Sequence, residues 1–414
     1  MKGVFLAVSV IAFLAVSCEE LDNDIRKHGA GDADSSSRVS LGDVAVILSE
    51  IPLELEQMNE VHDAVSSSSG NGYDEEYMMR DLFSVPGAGV GDDRLPEGTK
   101  ARPVYDRPMR ELIREYLHRQ HETRSGIFKD SRIQDVSPEE ILEDMQSSDM
   151  QIYWPYSENW DGKELPVITF DPMDGAETNI GYRIVVDADG RRTVEEVIAD
   201  EQMAIDGTVW VVNRNDDSGY NSLEILRRED PDWGTGGGEI IVRPQSFKGG
   251  TGQEAPLRTL ILREFTMLRN YDSWFAGASE FFVKIGSVEG FTASTEAELK
   301  LYSPTVTDFM IVVKRKYKGV PRPFNAVLVS DWTDQLEQCA FLISEDDGGT
   351  RTSWKCTALV RIASKSYGVE IELPINTRDD IVWRGQLSSR YIMANNNVTG
   401  HFGDVDLKFE VQEY

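Results

Sequence analysis

The chain has 414 residues, enough for two or three domains with cores of their own. Its 72 acidic residues against 42 basic ones leave a formal charge of −30. Such a body repels nucleic acid and anionic lipid head groups, so its charged partners are cations, basic proteins or metal-bridged surfaces.

The chain opens on Met1-Lys2-Gly3, then an apolar run from Val4 to Val16, then Ser17-Cys18. Acidic residues follow at once at Glu19, Glu20, Asp22 and Asp24. The apolar run falls short of the roughly 20 residues a spanning helix needs and fits the core of a secretory signal. These residues resemble a bacterial lipoprotein signal peptide, residues 1–17, in which Cys18 is lipidated and becomes the mature N-terminus. Ala15 stands where such signals usually carry Leu, and Leu14 sits one place early. A plain cleaved secretory signal with a free Cys18 is the alternative. The acidic stretch after Cys18 resembles the export tag of surface lipoproteins in the Bacteroidota, which implies the cell surface rather than the periplasmic leaflet. No other segment approaches 18 uninterrupted apolar residues, so the body is expected to be soluble.

Residues 18–38 are rich in Asp, Gly and Ser, bury too little apolar area to order themselves, and suit an acidic tether. Residues 39–150 are expected to be helical. Ser40 can cap a helix through Ile51, with Val44, Ile47, Leu48 and Ile51 on one face. Pro52 ends it and can start a second helix, carrying Leu53, Leu55, Met58, Val61 and Val65, which is expected to break at Ser66–Gly72. A short helix over Asp74–Phe83, a loop over Pro86–Pro103 and a helix over Arg107–His121 follow. Ser137-Pro138-Glu139-Glu140 is a capping box opening Ile141–Met145.

Near residue 150 the texture changes, and residues 151–247 are expected to form an α+β middle region. Met150–Tyr156, Pro166–Phe170, Tyr182–Val186, Thr208–Val212 and Glu239–Val242 read as strands, with a tight turn at Asp187–Gly190. Residues 234–256 are Gly-rich and suit a linker. Residues 257–414 carry eight further short alternating strands: Leu257–Met267, Glu280–Val288, Phe309–Lys316, Asn325–Val329, Cys339–Ser344, Trp354–Ile362, Val369–Pro374 and Val405–Val411. Their number and turn signals point to an antiparallel β-sandwich. The expected fold class is therefore α+β.

With Cys18 lipidated, Cys339 and Cys356 remain as a pair in a disulfide-permissive compartment. An Asp347-Gly348 turn would set Cys339 opposite Cys356, where a cross-strand disulfide is geometrically feasible. Two reduced, buried thiols are the alternative.

The segment from Asn213 to Glu224 resembles an EF-hand calcium loop, with Asn213, Asn215, Asp217 and Glu224 at its first, third, fifth and twelfth places. Asn replaces Asp at the first place, the glycine comes one place late, and a polar turn is the plainer reading. The acidic tip Glu345-Asp346-Asp347, with Asp331 and Asp334, loosely resembles the acid-lined loops of calcium-binding C2 sandwiches. His118 and His121 lie three apart on one helix, but Arg114, Arg119 and Arg124 surround them and disfavour a cation. Tyr153, Trp154, Tyr156 and Trp160 could stack on sugar rings or serve as core. No nucleophile elbow or Walker loop is present, so no catalytic residue is assigned.

The run from Gln151 to Trp160 and the strand-rich C-terminal half are similar to uncharacterised Bacteroidota lipoproteins. That resemblance implies location and no chemistry. The expected role is a non-enzymatic binding or structural protein of the cell envelope, held to the outer membrane by lipid. Its ligand would be a protein or glycan, with no nucleic acid and no cofactor unless calcium. The rival is an exported carboxylate- or metal-dependent hydrolase.

Overall fold

Helices begin where the sequence places their caps. In a computed structural model that describes residues 38–84, 105–123, 133, 136–215, 222, 224–225 and 257–413, Ser40 accepts from the Asp43 N–H and opens α1 (Leu41–Glu50). The same reciprocal box at Ser137 and Glu140 opens α5 (Pro138–Ser147), with Pro138 in the first turn. Between them lie α2 (Leu55–Gly70), α3 (Met79–Phe83) and α4 (Met109–Thr123). The apolar stripes of these helices face inward, burying Val44, Ile47, Leu48, Met58, Val61, Leu112 and Ile113.

Three helical expectations are corrected. Pro52 does not start α2, because Glu54 and Gln57 form its capping box and the helix begins at Leu55, leaving Leu53 buried ahead of it. Ser66–Ser69 do not end α2 but form its last turn, because Val65 and the preceding apolar face already commit that helix to the core. Asp74–Phe83 is not one helix: Glu76–Met78 is a short strand, β1, paired antiparallel with β2 (Met150–Tyr153), and only Met79–Phe83 is helical.

The first sheet has the order β1-β2-β6-β3-β4-β5. Its further strands are β3 (Val167–Phe170), β4 (Thr178–Val186), β5 (Arg192–Asp200) and β6 (Val209–Arg214), with α6 (Glu201–Asp206) between the last two. Strand β6 runs parallel to β3, and the other neighbours are antiparallel. Side chains alternate across a strand, so β6 is apolar on both faces. Trp210 and Val212 enter the core shared with the helices, while Val209 and Val211 pack with Trp274 and Phe275 on the opposite side. The helices and this sheet thus share one core.

The C-terminal half is a two-sheet sandwich. One sheet has the order β10-β7-β16-β15, from β7 (Arg258–Met267), β10 (Arg322–Trp332), β15 (Thr399–Phe402) and β16 (Val405–Glu413). The other has the order β13-β12-β11-β8-β9, from β8 (Ser279–Ser287), β9 (Thr305–Val313), β11 (Leu336–Glu345), β12 (Arg351–Ile362) and β13 (Lys365–Asn376), with β14 (Asp380–Ser388) also paired to β11. Leu260, Phe265 and Leu407 from the first sheet meet Phe281, Val283, Phe341 and Ile343 from the second in one apolar core. Helix α7 (Ser389–Ala394) follows β14, and Ile392 packs into that core. The fold class is α+β, with helices N-terminal and antiparallel sheets in the middle and C-terminal regions.

The register expected from an Asp347-Gly348 turn does not form. Strand β11 pairs with β12 only at Leu336 and Gln338, and then with β14 on that side from Gln338 to Glu345. Cys339 therefore faces Leu387, Cys356 faces Ile371, and both are free thiols. Strands β5, β14 and β15, absent from the strand expectations, are polar or short and form through their neighbours. The tether, the Pro86–Pro103 loop, the Glu239–Val242 strand and the Gly-rich linker lie outside the described residues.

Candidate cation site

The segment between β7 and β8 doubles back on itself. Tyr271 N–H donates to Ser279 Oγ at 3.1 Å, and Ala276 N–H to Ser273 O at 3.2 Å. Its apolar tip, Trp274 and Phe275, is buried against β6, and Trp274 Nε1 donates to Glu177 O at 3.0 Å. This anchoring holds Asp272 beside the first residues of β8. Register then delivers the acids of β11. Glu345 pairs with Phe281, and Asp346 N–H donates to Glu280 O at 2.9 Å. The β13–β14 turn brings Asp379 and Asp380 alongside, with Glu345 paired to Asp380.

One ligand oxygen each from Asp272, Glu280 and Glu345 lies within 4.8 Å of the other two. Glu280 is 5 % exposed, Glu345 0 % and Asp346 1 %. Asp346 Oδ1 accepts from Gly348 N–H at 2.9 Å and Asn376 Nδ2 at 3.1 Å. The Asp346 and Asp379 carboxyls lie within hydrogen-bond reach of each other, as do those of Asp272 and Glu345, so each pair can share a proton. Burial, against a hydrogen bond to Glu345, pushes the Asp272 carboxyl up to about 6, and the Asp347 charge adds to the rise. Burial likewise raises Asp379 to about 6, reinforced by Asp346. Buried carboxylates in such number require a proton, a basic partner or a metal ion. An all-oxygen donor set suits hard cations of the calcium and magnesium class rather than zinc or copper.

No family model matches this chain, and no curated protein or solved structure does either.

The residues singled out from the sequence have other surroundings. Asn213 is fully buried and donates to Phe275 O at 3.0 Å and Ala276 O at 2.6 Å, joining β6 to the β7–β8 segment. Asn215 Nδ2 donates to Glu76 Oε2 at 2.8 Å and Gln151 Oε1 at 3.0 Å. Glu224 is exposed beside Gly72, and Asp217 lies outside the described residues, as does Cys18. His118 sits 3.4 Å from Glu139 on the helix surface. Tyr153 and Trp154 are core residues.

Of the C2-like acids, Glu345, Asp346 and Asp347 do line the acidic end of β11. Asp331 and Asp334 do not join them, because they precede β11 while Glu345 ends it, and Asp334 holds Arg258 at 2.5 Å. Sequence reading missed Asp272, Glu280 and Asp379. Glu280 left one signal, a carboxylate at the head of the apolar run Phe281-Phe282-Val283.

Proposed function

We propose that this chain is an exported lipoprotein of the outer membrane, anchored through acylated Cys18 and displayed toward the cell surface. The observation that carries the reading is the short apolar run ending at Cys18, followed at once by acidic residues. Acyl chains contribute about 0.8 kcal/mol per buried methylene, and two signals make the attachment stable. The Asp-, Gly- and Ser-rich residues 18–38 serve as the acidic tether between lipid and body. Among the described residues, no helix is long and apolar enough to cross a membrane. The body serves as a non-enzymatic binding or structural module, with sandwich loops presented to a protein or glycan.

Mass spectrometry of the N-terminal peptide tests this directly. The expected result is a chain starting at Cys18 with diacylglyceryl and acyl mass, partitioning into detergent, and released into the aqueous phase by Cys18→Ser. Protease treatment of whole cells then reports the leaflet. A mature chain starting elsewhere, without acyl mass, overturns the reading.

The grouping of Asp272, Glu280 and Glu345 favours a second reading, a metal-dependent exported hydrolase. Turnover of a glycan, peptide or ester substrate that disappears in Glu345→Gln would establish it in place of the first.

A further inference from the structure

We propose that Lys284 and Asp308 join in an amide cross-link between β8 and β9, formed by the folded chain itself with loss of one water. The two residues stand directly opposite each other in the antiparallel pairing of these strands. Opposite side chains project to one face, with Cβ atoms roughly 5 Å apart, a gap the lysine stem spans with length to spare. Lys284 Nζ lies 3.3 Å from Asp308 Oδ2, which holds the nitrogen beside the carboxyl carbon it would attack. The surroundings are those of a core. Lys284 is 1 % exposed, and its ammonium sits 4.3 Å from the centre of the Phe282 ring. Phe282 and Gly286 flank Lys284 on the same face of β8. A Cβ on Gly286 would stand 2.8 Å from Ile371, so β13 covers that face. Asp308 Oδ1 is buried with no hydrogen-bond partner among the described residues, and burial raises its carboxyl.

The step balances without an oxidant or cofactor. Lys284 passes one proton to Asp308 Oδ2, leaving a neutral amine and a neutral acid. The amine lone pair attacks Cγ and forms the C–N bond. The Cγ–Oδ2 bond breaks, and the hydroxyl leaves with a second amine proton as water. Asp379 is placed to relay that proton. It accepts from Ser344 Oγ at 3.5 Å, Ser344 is paired with Phe282, and the Lys284 charge acts on the Asp379 carboxyl. Two charges held out of water carry a desolvation penalty, which one neutral amide removes. Close confinement also replaces the encounter of two free groups, so condensation that is unfavourable in water becomes accessible. Among the described residues both cysteines are free thiols, so an amide would brace the sandwich where no disulfide does. The inference is independent of the anchor, since every residue in it belongs to the body.

Mass spectrometry of the full chain, purified in detergent and then reduced and denatured, tests the bond. The expected chain is lighter by one water than its sequence and acyl groups require. Trypsin should leave residues 270–300, uncut after Lys284, joined to residues 301–314. Lys284→Arg and Asp308→Ala should each restore the missing water and free residues 301–314. The wild-type digest decides the question even if neither variant folds. In a pulse-chase of newly made protein, Asp379→Asn should lose its water about 100-fold more slowly, the low end for loss of a proton-transfer group. A wild-type rate in that variant overturns the relay. A wild-type chain of full mass, cleaved after Lys284, overturns the proposal. So does a lost water in a digest that keeps the two segments apart.

Discussion

The Glu75 carboxylate lies 3.1 Å from the Lys314 ammonium, with side chains 5 % and 16 % exposed. The pair ties the leading edge of the first sheet to the residue that follows β9. Lys314 also donates to Ser69 Oγ at 2.7 Å, and Ser157 Oγ to Glu75 at 3.1 Å. Next to it, Asp74 accepts the Ala278 N–H at 2.8 Å, so the two halves of the body meet across a buried polar seam.

Removing one member of a buried pair costs more than the pair contributes, because the survivor keeps its desolvation penalty. Lys314→Met should destabilise the protein by about 3–5 kcal/mol in chemical denaturation above pH 7, where Glu75 would be left charged, and by less at pH 5, where it is protonated. The double variant Lys314→Met, Glu75→Leu should recover most of that loss. A single variant costing under about 1 kcal/mol would show the seam to be solvated.

Stability should fall as pH rises across the same seam. Burial pushes the Glu75 carboxyl up from 4.5 to about 7, the Asp74 charge adds to the rise, and Lys314 opposes it. The folded state therefore holds its proton more tightly than the unfolded chain. That contribution is complete below about 4.5 and is lost as pH climbs through about 7. Melting curves between pH 5 and 8 should show the decline, and Glu75→Gln should flatten it. An unchanged slope in that variant would assign the decline to other groups.

The β15–β16 turn requires glycine. Gly403 has φ +61°, and a Cβ there would stand 2.2 Å from Val382 O. Gly403→Ala adds a backbone clash to left-handed strain, so a loss of about 2 kcal/mol or more is expected in denaturant unfolding. A neutral result would mean that the turn and the Val382 backbone move apart freely.

Non-reduced mass spectrometry should find Cys339 and Cys356 both as thiols. Burial raises both thiol pKa values, and Cys339 is fully enclosed while Cys356 is half-buried. In the native protein, an alkylating reagent should modify Cys356 first and reach Cys339 only on unfolding. A mass lower by two hydrogens would restore the cross-strand disulfide.

Local signals in this chain were legible and long-range ones were not. The caps at Ser40 and Ser137 and the stripe in α4 could be read directly, because their hydrogen bonds and spacing lie within a few residues. β1 read as helix because its three residues become a strand only against β2. β5 read as nothing, since its alternation is broken by Glu195-Glu196 and its order comes from β4. The expected disulfide failed for the same reason: β14, distant in sequence, takes the place beside β11 that the hairpin turn assigned to β12.

The chain alone determined its acidic character, the helical start, the strand-rich second half and the lipobox-like residues before Cys18, all matters of composition and nearest neighbours. Which of its 72 acids come together was decided only by tertiary structure. Asp272, Glu280 and Glu345 meet because Trp274 and Phe275 pin one segment against β6 while strand register aligns β8 with β11. Those contacts depend on packing across the whole body, which no local pattern encodes.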